Sequence, residues 1–264
     1  MEQTLQIGIF GDSISKGIVL DAETHRYSSL KKEITEWISP STALHNFSVM
    51  GSTIQKGLSI ITRHTDQLAS YQNVFLEFGG NDCDFDWSAV SERPQAHHEP
   101  HTPLKQFESL YTKAIQLIQE KKGNPILLTL PPLEPKRYFQ WISRNLHPDN
   151  ILHWLGGVDT IYRWQEMYNM KVLLLAQKLH VPVVDIRSAF LAQHGYQALL
   201  CEDGIHPNRK GHRFIYKTIM QQYHPCLQNE TDKKIPLGKQ LLVQRDFLIF
   251  FHCVPFSEWA IVQS

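Results

Sequence analysis

The stretch Ile7-Gly8-Ile9-Phe10-Gly11-Asp12-Ser13-Ile14-Ser15-Lys16-Gly17 reads as a buried strand that runs into a small, polar turn. Branched and aromatic residues suit the strand, and Gly, Asp and Ser suit the turn that ends it. Working outward, β-like runs are expected at 5–10, 43–49, 74–78, 126–130 and 181–186. Segments of helical composition lie at 28–38, 58–71, 104–122, 161–179 and 209–223. In the third of these, Phe107, Leu110, Tyr111, Ile115 and Ile118 recur at helical spacing, and Gly123-Asn124-Pro125 stops the helix. That stripe is core. Alternation of strand and helix predicts an α/β fold, a five-stranded parallel sheet with helices on both faces.

In such a sheet, ligands sit beyond the carboxyl ends of the strands. The residues found there are Gly11-Asp12-Ser13, Met50-Gly51-Ser52-Thr53, Gly79-Gly80-Asn81-Asp82 and Pro131-Pro132. Ser13 is the candidate nucleophile. Far away in sequence, Asp203-Gly204-Ile205-His206-Pro207-Asn208 offers a carboxylate and an imidazole three residues apart. A serine is a weak nucleophile at its free pKa, so a base must take its proton as it attacks a carbonyl. His206 can act as that base, and Asp203 can hold the other ring nitrogen.

Other polar residues have plainer roles. Asp12, a sequence neighbour of Ser13, is placed to brace the turn, and Ser15 is the rival hydroxyl. Asp185 is expected to cap a helix or brace a loop, and Asn208 to cap the last helix. Asp82, Asp84 and Asp86 either form an acidic approach to the site or belong to a solvated loop. His97, His98 and His101, with Glu99 nearby, lie in the 94–103 loop without zinc-motif spacing, so neither metal nor cofactor is expected.

Composition narrows the function classes. The 264 residues carry 26 Lys+Arg against 26 Asp+Glu, so no net field draws the chain to nucleic acid or an anionic membrane. Cys83, Cys201, Cys226 and Cys253 form no C-x-x-C pair or dense scaffold and read as free thiols. No apolar run approaches the ~20 residues that span a bilayer. With no signal-peptide pattern ahead of residue 5, the expectation is a cytoplasmic protein without membrane insertion. One domain is expected over 1–226, with an aromatic-rich insertion at about 133–159 that places Tyr138, Phe139, Trp141 and Trp154 near the site mouth. A tail, 227–264, follows, turning apolar through Phe247-Leu248-Ile249-Phe250-Phe251, and no role is assigned to it.

Taken in order, four blocks resemble the SGNH, or GDSL, hydrolase family of esterases, lipases, thioesterases and carbohydrate deacetylases. Gly11-Asp12-Ser13 is similar to its nucleophile block, and Asn46 to Gly51 to its second. Gly79-Gly80-Asn81-Asp82 is similar to the third, and Asp203 with His206 to the last. The resemblance covers residues 5–224. It implies a three-layer α/β/α sandwich with flavodoxin-like strand order, and an oxyanion hole built from the backbone N–H groups of Ser13 and Gly51 and the side-chain amide of Asn81. The absence of a G-x-S-x-G elbow argues against the α/β-hydrolase fold.

The expected activity is that of a serine esterase working through an acyl-enzyme on a small-molecule ester. A short acyl group is favoured because no long apolar lid is visible, and an acetylated carbohydrate is the variant suggested by the aromatic insertion. Asp82, Trp141 and Trp154 are the candidate substrate contacts. An acyltransferase with the same triad, or a catalytically silent sugar-binding protein, are the rival readings.

Overall fold

Strand β1 (Leu5–Gly11) is buried along its second half and stands second in the five-stranded sheet. The computed structural model describes residues 4–228. Compact units span Met1–Gln222 and Tyr223–Ser264, and the sheet lies in the first. The tail beyond residue 228 lies outside the described residues, so its apolar run has no structural account.

After β1 the chain forms a small antiparallel hairpin, β2 (Ile18–Leu20) and β3 (Tyr27–Ser29), and then helix α1 (Lys31–Trp37). Next come β4 (Thr42–Asn46), α2 (Ile54–Arg63), β5 (Asn73–Glu77), α3 (Trp87–Glu92), α4 (Leu104–Glu120) and β6 (Pro125–Leu128). Helices α5 (Pro135–Ser143), α6 (Pro148–Leu155) and α7 (Asp159–Leu179) follow, then β7 (Val183–Val184), α8 (Ile186–Leu191) and α9 (Arg209–Gln228). The main sheet is parallel with order β4-β1-β5-β6-β7, the flavodoxin-like arrangement expected from the sequence.

That order fixes the layers. The first crossover, from β1 to β4, runs opposite in direction to all later ones, and right-handed connections therefore put α1 on one face and α2, α4 and α7 on the other. On the α1 side, Trp37 meets Tyr216 of α9 edge-on, and Phe190 of α8 meets Phe214. On the opposite side, Phe107, Tyr111, Ile115 and Ile118 of α4 are fully buried in the main core with Phe78, Leu127 and Val172. The helical stripe read from the sequence is core.

The differences from the sequence expectations have local causes. Strand β4 ends at Asn46 because its side-chain oxygen accepts from Ser48 N–H at 2.9 Å and turns the chain out of the sheet. β7 is only two residues long, since Asp185 already caps α8 by accepting from Ser188 N–H. α2 starts at Ile54, earlier than expected, because the Asp82 carboxylate accepts its first N–H from another loop. The predicted helix 28–38 begins later, its first residues being drawn into β3. The insertion forms α5 and α6, whose apolar faces build a second core with Phe85, Trp87 and Val90.

His212 ties α9 to the hairpin: Nε2–H donates to the Ile18 carbonyl at 2.9 Å, while Nδ1 is buried without a partner among the described residues. Burial lowers its pKa from 6.5 to about 4. Between those values the unfolded chain binds a proton that the folded chain refuses, so stability rises with pH across the window and is lost as pH falls toward 4. The loss is expected to reach about 3 kcal/mol. Urea unfolding from pH 7 to pH 4 is expected to show this component in the wild type and lack it in His212→Gln; identical slopes in the two would contradict it.

Candidate active site

The carboxyl ends of β1, β4 and β5 lie side by side, with Gly11 opposite Glu77 and Ile9 opposite Asn46. Each strand passes into one of the short blocks singled out from the sequence, so the blocks meet because the strands do. Asn46 joins the second block to the first, its Nδ2 donating to the Ser15 carbonyl at 2.7 Å. The nucleophile turn closes on itself through Lys16 N–H to the Asp12 carbonyl and Ile18 N–H to the Ser13 carbonyl. Its side chain Asp12 is almost fully buried: Oδ1 accepts from Ile14 N–H at 2.8 Å, and Oδ2 accepts from Asn81 Nδ2 at 2.8 Å.

Behind the turn, Glu77 is buried too, accepting from Ser15 N–H at 3.3 Å. Burial, and then the neighbouring Glu77, push the Asp12 carboxyl well above its ordinary value. Burial raises the Glu77 carboxyl as well, so each member of the pair is harder to ionise than a free carboxyl. Ser15 spends its hydroxyl on Ser48, 2.9 Å away, and is thereby turned from the histidine.

Ser13 Oγ stands 3.0 Å from His206 Nε2, and His206 Nδ1 stands 2.7 Å from Asp203 Oδ2. The other carboxylate oxygen of Asp203 accepts from Ile205 N–H at 3.1 Å and His206 N–H at 3.0 Å. Burial works to raise Asp203, but the hydrogen bonds and charge of His206 outweigh it and leave the carboxyl below its ordinary value. Residue 204 must be glycine: φ is +74°, and a Cβ there would lie 2.6 Å from the Glu134 carbonyl. The insertion is seated directly on this loop, Glu134 N–H donating to the Gly204 carbonyl at 2.8 Å. Asn208 caps α9, accepting from Gly211 N–H.

Gly51 also has a left-handed φ, +72°, which side chains disfavour. Asn81 directs its Nδ2 to Asp12 and, at 3.3 Å, to the Ser52 carbonyl. Asp82 is not at the surface of the site. It is fully buried with both carboxylate oxygens toward Ile54 N–H, and burial pushes it up to about 6, so it serves α2 and not a substrate.

Ser13, Asn81 and His206 border a small, partly open cavity. Its walls are Trp87, Tyr138, Trp164, Leu130, Leu133 and Ile161. Neither tryptophan expected from the insertion lines it. Trp154 sits one layer back, packed on Phe85 and Trp164, and Trp141 lies beside Tyr27. The loop after β6 is pinned by α7, Asn169 accepting from Leu130 N–H and Gln165 from Leu133 N–H. Asp84, which the sequence left between two readings, holds two walls at once: Tyr138 OH donates to it at 2.6 Å and Trp87 Nε1–H at 2.8 Å. Trp87 and Trp164 carried no signal in the sequence, because what makes them wall residues is packing between distant segments.

The histidines of the 94–103 loop go to separate partners, His98 to the Arg93 carbonyl and His101 to the Asn81 carbonyl. Among the described residues no three His, Cys, Asp or Glu side chains group as metal ligands, and no helix is long and apolar enough to cross a membrane.

Among solved structures, a lipase/acylhydrolase from Enterococcus faecalis is similar at 20% identity and TM-score 0.58, over 83% of this chain and 94% of that one. A GDSL-like lipase from Bacteroides thetaiotaomicron gives 14% identity and TM-score 0.59, over 86% and 91%. A catalytic mutant of an acetylxylan esterase from Geobacillus stearothermophilus gives 16% and 0.58, over 84% and 94%. No curated protein sequence matches the chain. At such identities these likenesses speak for the fold. The profile of the GDSL-like lipase/acylhydrolase family matches residues 9–214, most of the chain, and the chain belongs to that family of ester-hydrolysing enzymes.

Proposed function

We propose that the protein is a serine esterase that hydrolyses a small ester through an acyl-enzyme formed on Ser13. The observation that carries this reading is the hydrogen-bonded line from Ser13 through His206 to Asp203 at the mouth of an aromatic cavity. His206 Nε2 takes the Ser13 proton as Oγ attacks the ester carbonyl, and Asp203 fixes the tautomer and stabilises the imidazolium. The imidazolium then protonates the departing alcohol. Water, deprotonated by the same imidazole, attacks the acyl-serine and releases the acid.

The developing oxyanion is assigned to the N–H groups of Ser13 and Gly51 and to Asn81 Nδ2. Asn81 keeps its 2.8 Å bond to Asp12 and exchanges the longer one to Ser52 for the oxyanion. Preorganisation of this kind is commonly the largest catalytic term. The aromatic walls favour a short, uncharged acyl or alkyl group. An acetylated saccharide is the second reading, supported by the flat faces of Trp87 and Trp164 on the wall and by the acetylxylan esterase among similar folds.

The test is a panel of aryl esters of increasing acyl length, run beside acetylated xylo-oligosaccharides and an acyl-CoA with an alcohol acceptor, on wild type and Ser13→Ala. Hydrolysis that is confined to short esters and lost in Ser13→Ala is expected. Transfer to the acceptor without free acid would replace the reading by acyl transfer. Asn81→Ala is expected to lower kcat by about 10²- to 10³-fold with little change in KM, since the donor is aimed at charge absent from the ground state. A raised KM at unchanged kcat would make Asn81 a substrate contact. Asp84→Ala frees both wall rings and leaves their donors unpaired, costing about 1–3 kcal/mol of stability. Its acetyl-to-hexanoyl ratio of kcat/KM is expected to fall severalfold, and an unchanged ratio would remove Asp84 from the specificity account.

A further inference from the structure

The hairpin that follows the nucleophile turn reaches back to the triad. Tyr27, on β3, donates its hydroxyl to Asp203 Oδ2 at 3.2 Å, the same oxygen that faces His206 Nδ1 at 2.7 Å. Its ring lies against the imidazole, centroids 5.0 Å apart and planes inclined by 57°. With the two backbone donors on Oδ1, Asp203 therefore has donors on both oxygens and little further capacity. From this geometry we infer that Tyr27 is a positioning residue of the triad, which draws charge from Asp203 Oδ2 and thereby sets the pH at which His206 becomes free to act as base. The inference rests on the triad reading above.

Two further observations fit the role. The phenol is held in its donor form, because burial and the adjacent Asp203 carboxylate both push its ionisation upward. The ring, 37% exposed, has Trp141 of the insertion edge-on at 6.4 Å, with Arg144 stacked over Trp141. This gives Trp141 a place in the site other than the substrate contact expected from the sequence. The hairpin is anchored at both ends of the turn, by Ile18 N–H to the Ser13 carbonyl and Leu30 N–H to the Gly17 carbonyl.

The physical consequence has a definite sign. Hydrogen bonds to the ionised carboxylate spread its charge, so a carboxylate deprived of one binds the imidazolium more firmly. The acid limb of the kcat/KM profile should then lie at higher pH without the hydroxyl than with it. Other titratable groups near the pair include Cys201, His25 and Glu202, the last two joined to each other, together with Arg144, His212, Asp12 and Glu77. Loss of one oxygen atom at Tyr27 alters none of them directly.

Tyr27→Phe is the test, because it keeps the ring packed on His206 and Trp141. The acid limb is expected to move up by roughly half to one pH unit, with KM nearly unchanged and the alkaline plateau within about threefold. The downfield Nδ1 proton resonance of His206, assigned by its loss in His206→Gln, is expected to move further downfield as the bond to Oδ2 tightens. An unmoved acid limb and an unmoved resonance, even with a lowered Tm, would overturn the inference and leave Tyr27 a packing residue; an effect confined to KM would overturn it as well. Activity surviving in Ser13→Ala is the separate result that would remove the triad reading itself.

Discussion

The arrangement depends first on a buried carboxyl, that of Asp12. It touches the N–H of Ile14 on its own turn and the amide of Asn81 on the loop after β5, so a single side chain sets the distance between the nucleophile and the proposed oxyanion donor. Such a group is expensive to bury alone, and its cost is offset by those hydrogen bonds. The sheet makes this possible. β1 and β5 are neighbours in register, Gly11 opposite Glu77, so both loops leave the sheet at the same height.

The remaining parts are brought to that frame from far along the chain. Asp203 and His206 come from the turn before α9, and the turn is held from outside by the insertion through Gly204 and Glu134. The insertion also supplies Tyr138 to the cavity and sets Trp141 beside Tyr27, while Asp84 ties Tyr138 to Trp87 across two loops. Ser13, Asn81 and the cavity wall are thus coupled through a few buried polar contacts and not through the apolar core alone.

How much of this was legible in the sequence follows from how local each signal is. The parallel sheet was legible, because strands such as 5–10 and 74–78 are apolar runs that end in Gly-rich turns. Ser13, Asp203 and His206 could be singled out as candidates because strand ends and the turn before a helix are places where chemistry gathers, whereas Asn81 was singled out through the resemblance to the family. Asn208 as a cap, and Asp185 as a cap or brace, were readable for the same local reason as the triad residues. The β2–β3 hairpin was not, since three-residue strands carry too short a period to be seen. Nor were Trp87, Trp164 and Tyr27, whose roles arise from contacts across the fold. Asp82 misled because an exposed-looking loop residue can reach back to cap a distant helix.

Ser13 Oγ, activated by His206, is the proposed carrier of the acyl group. That role is tested most directly by treating the full chain with an aryl alkylphosphonate, an analogue of the tetrahedral intermediate, and mapping the adduct by peptide mass spectrometry. One phosphonyl group per chain is expected on the peptide that contains Ser13, at a rate that collapses in His206→Gln. An adduct on Ser15, or labelling of Ser13 that proceeds equally fast without His206, would contradict it.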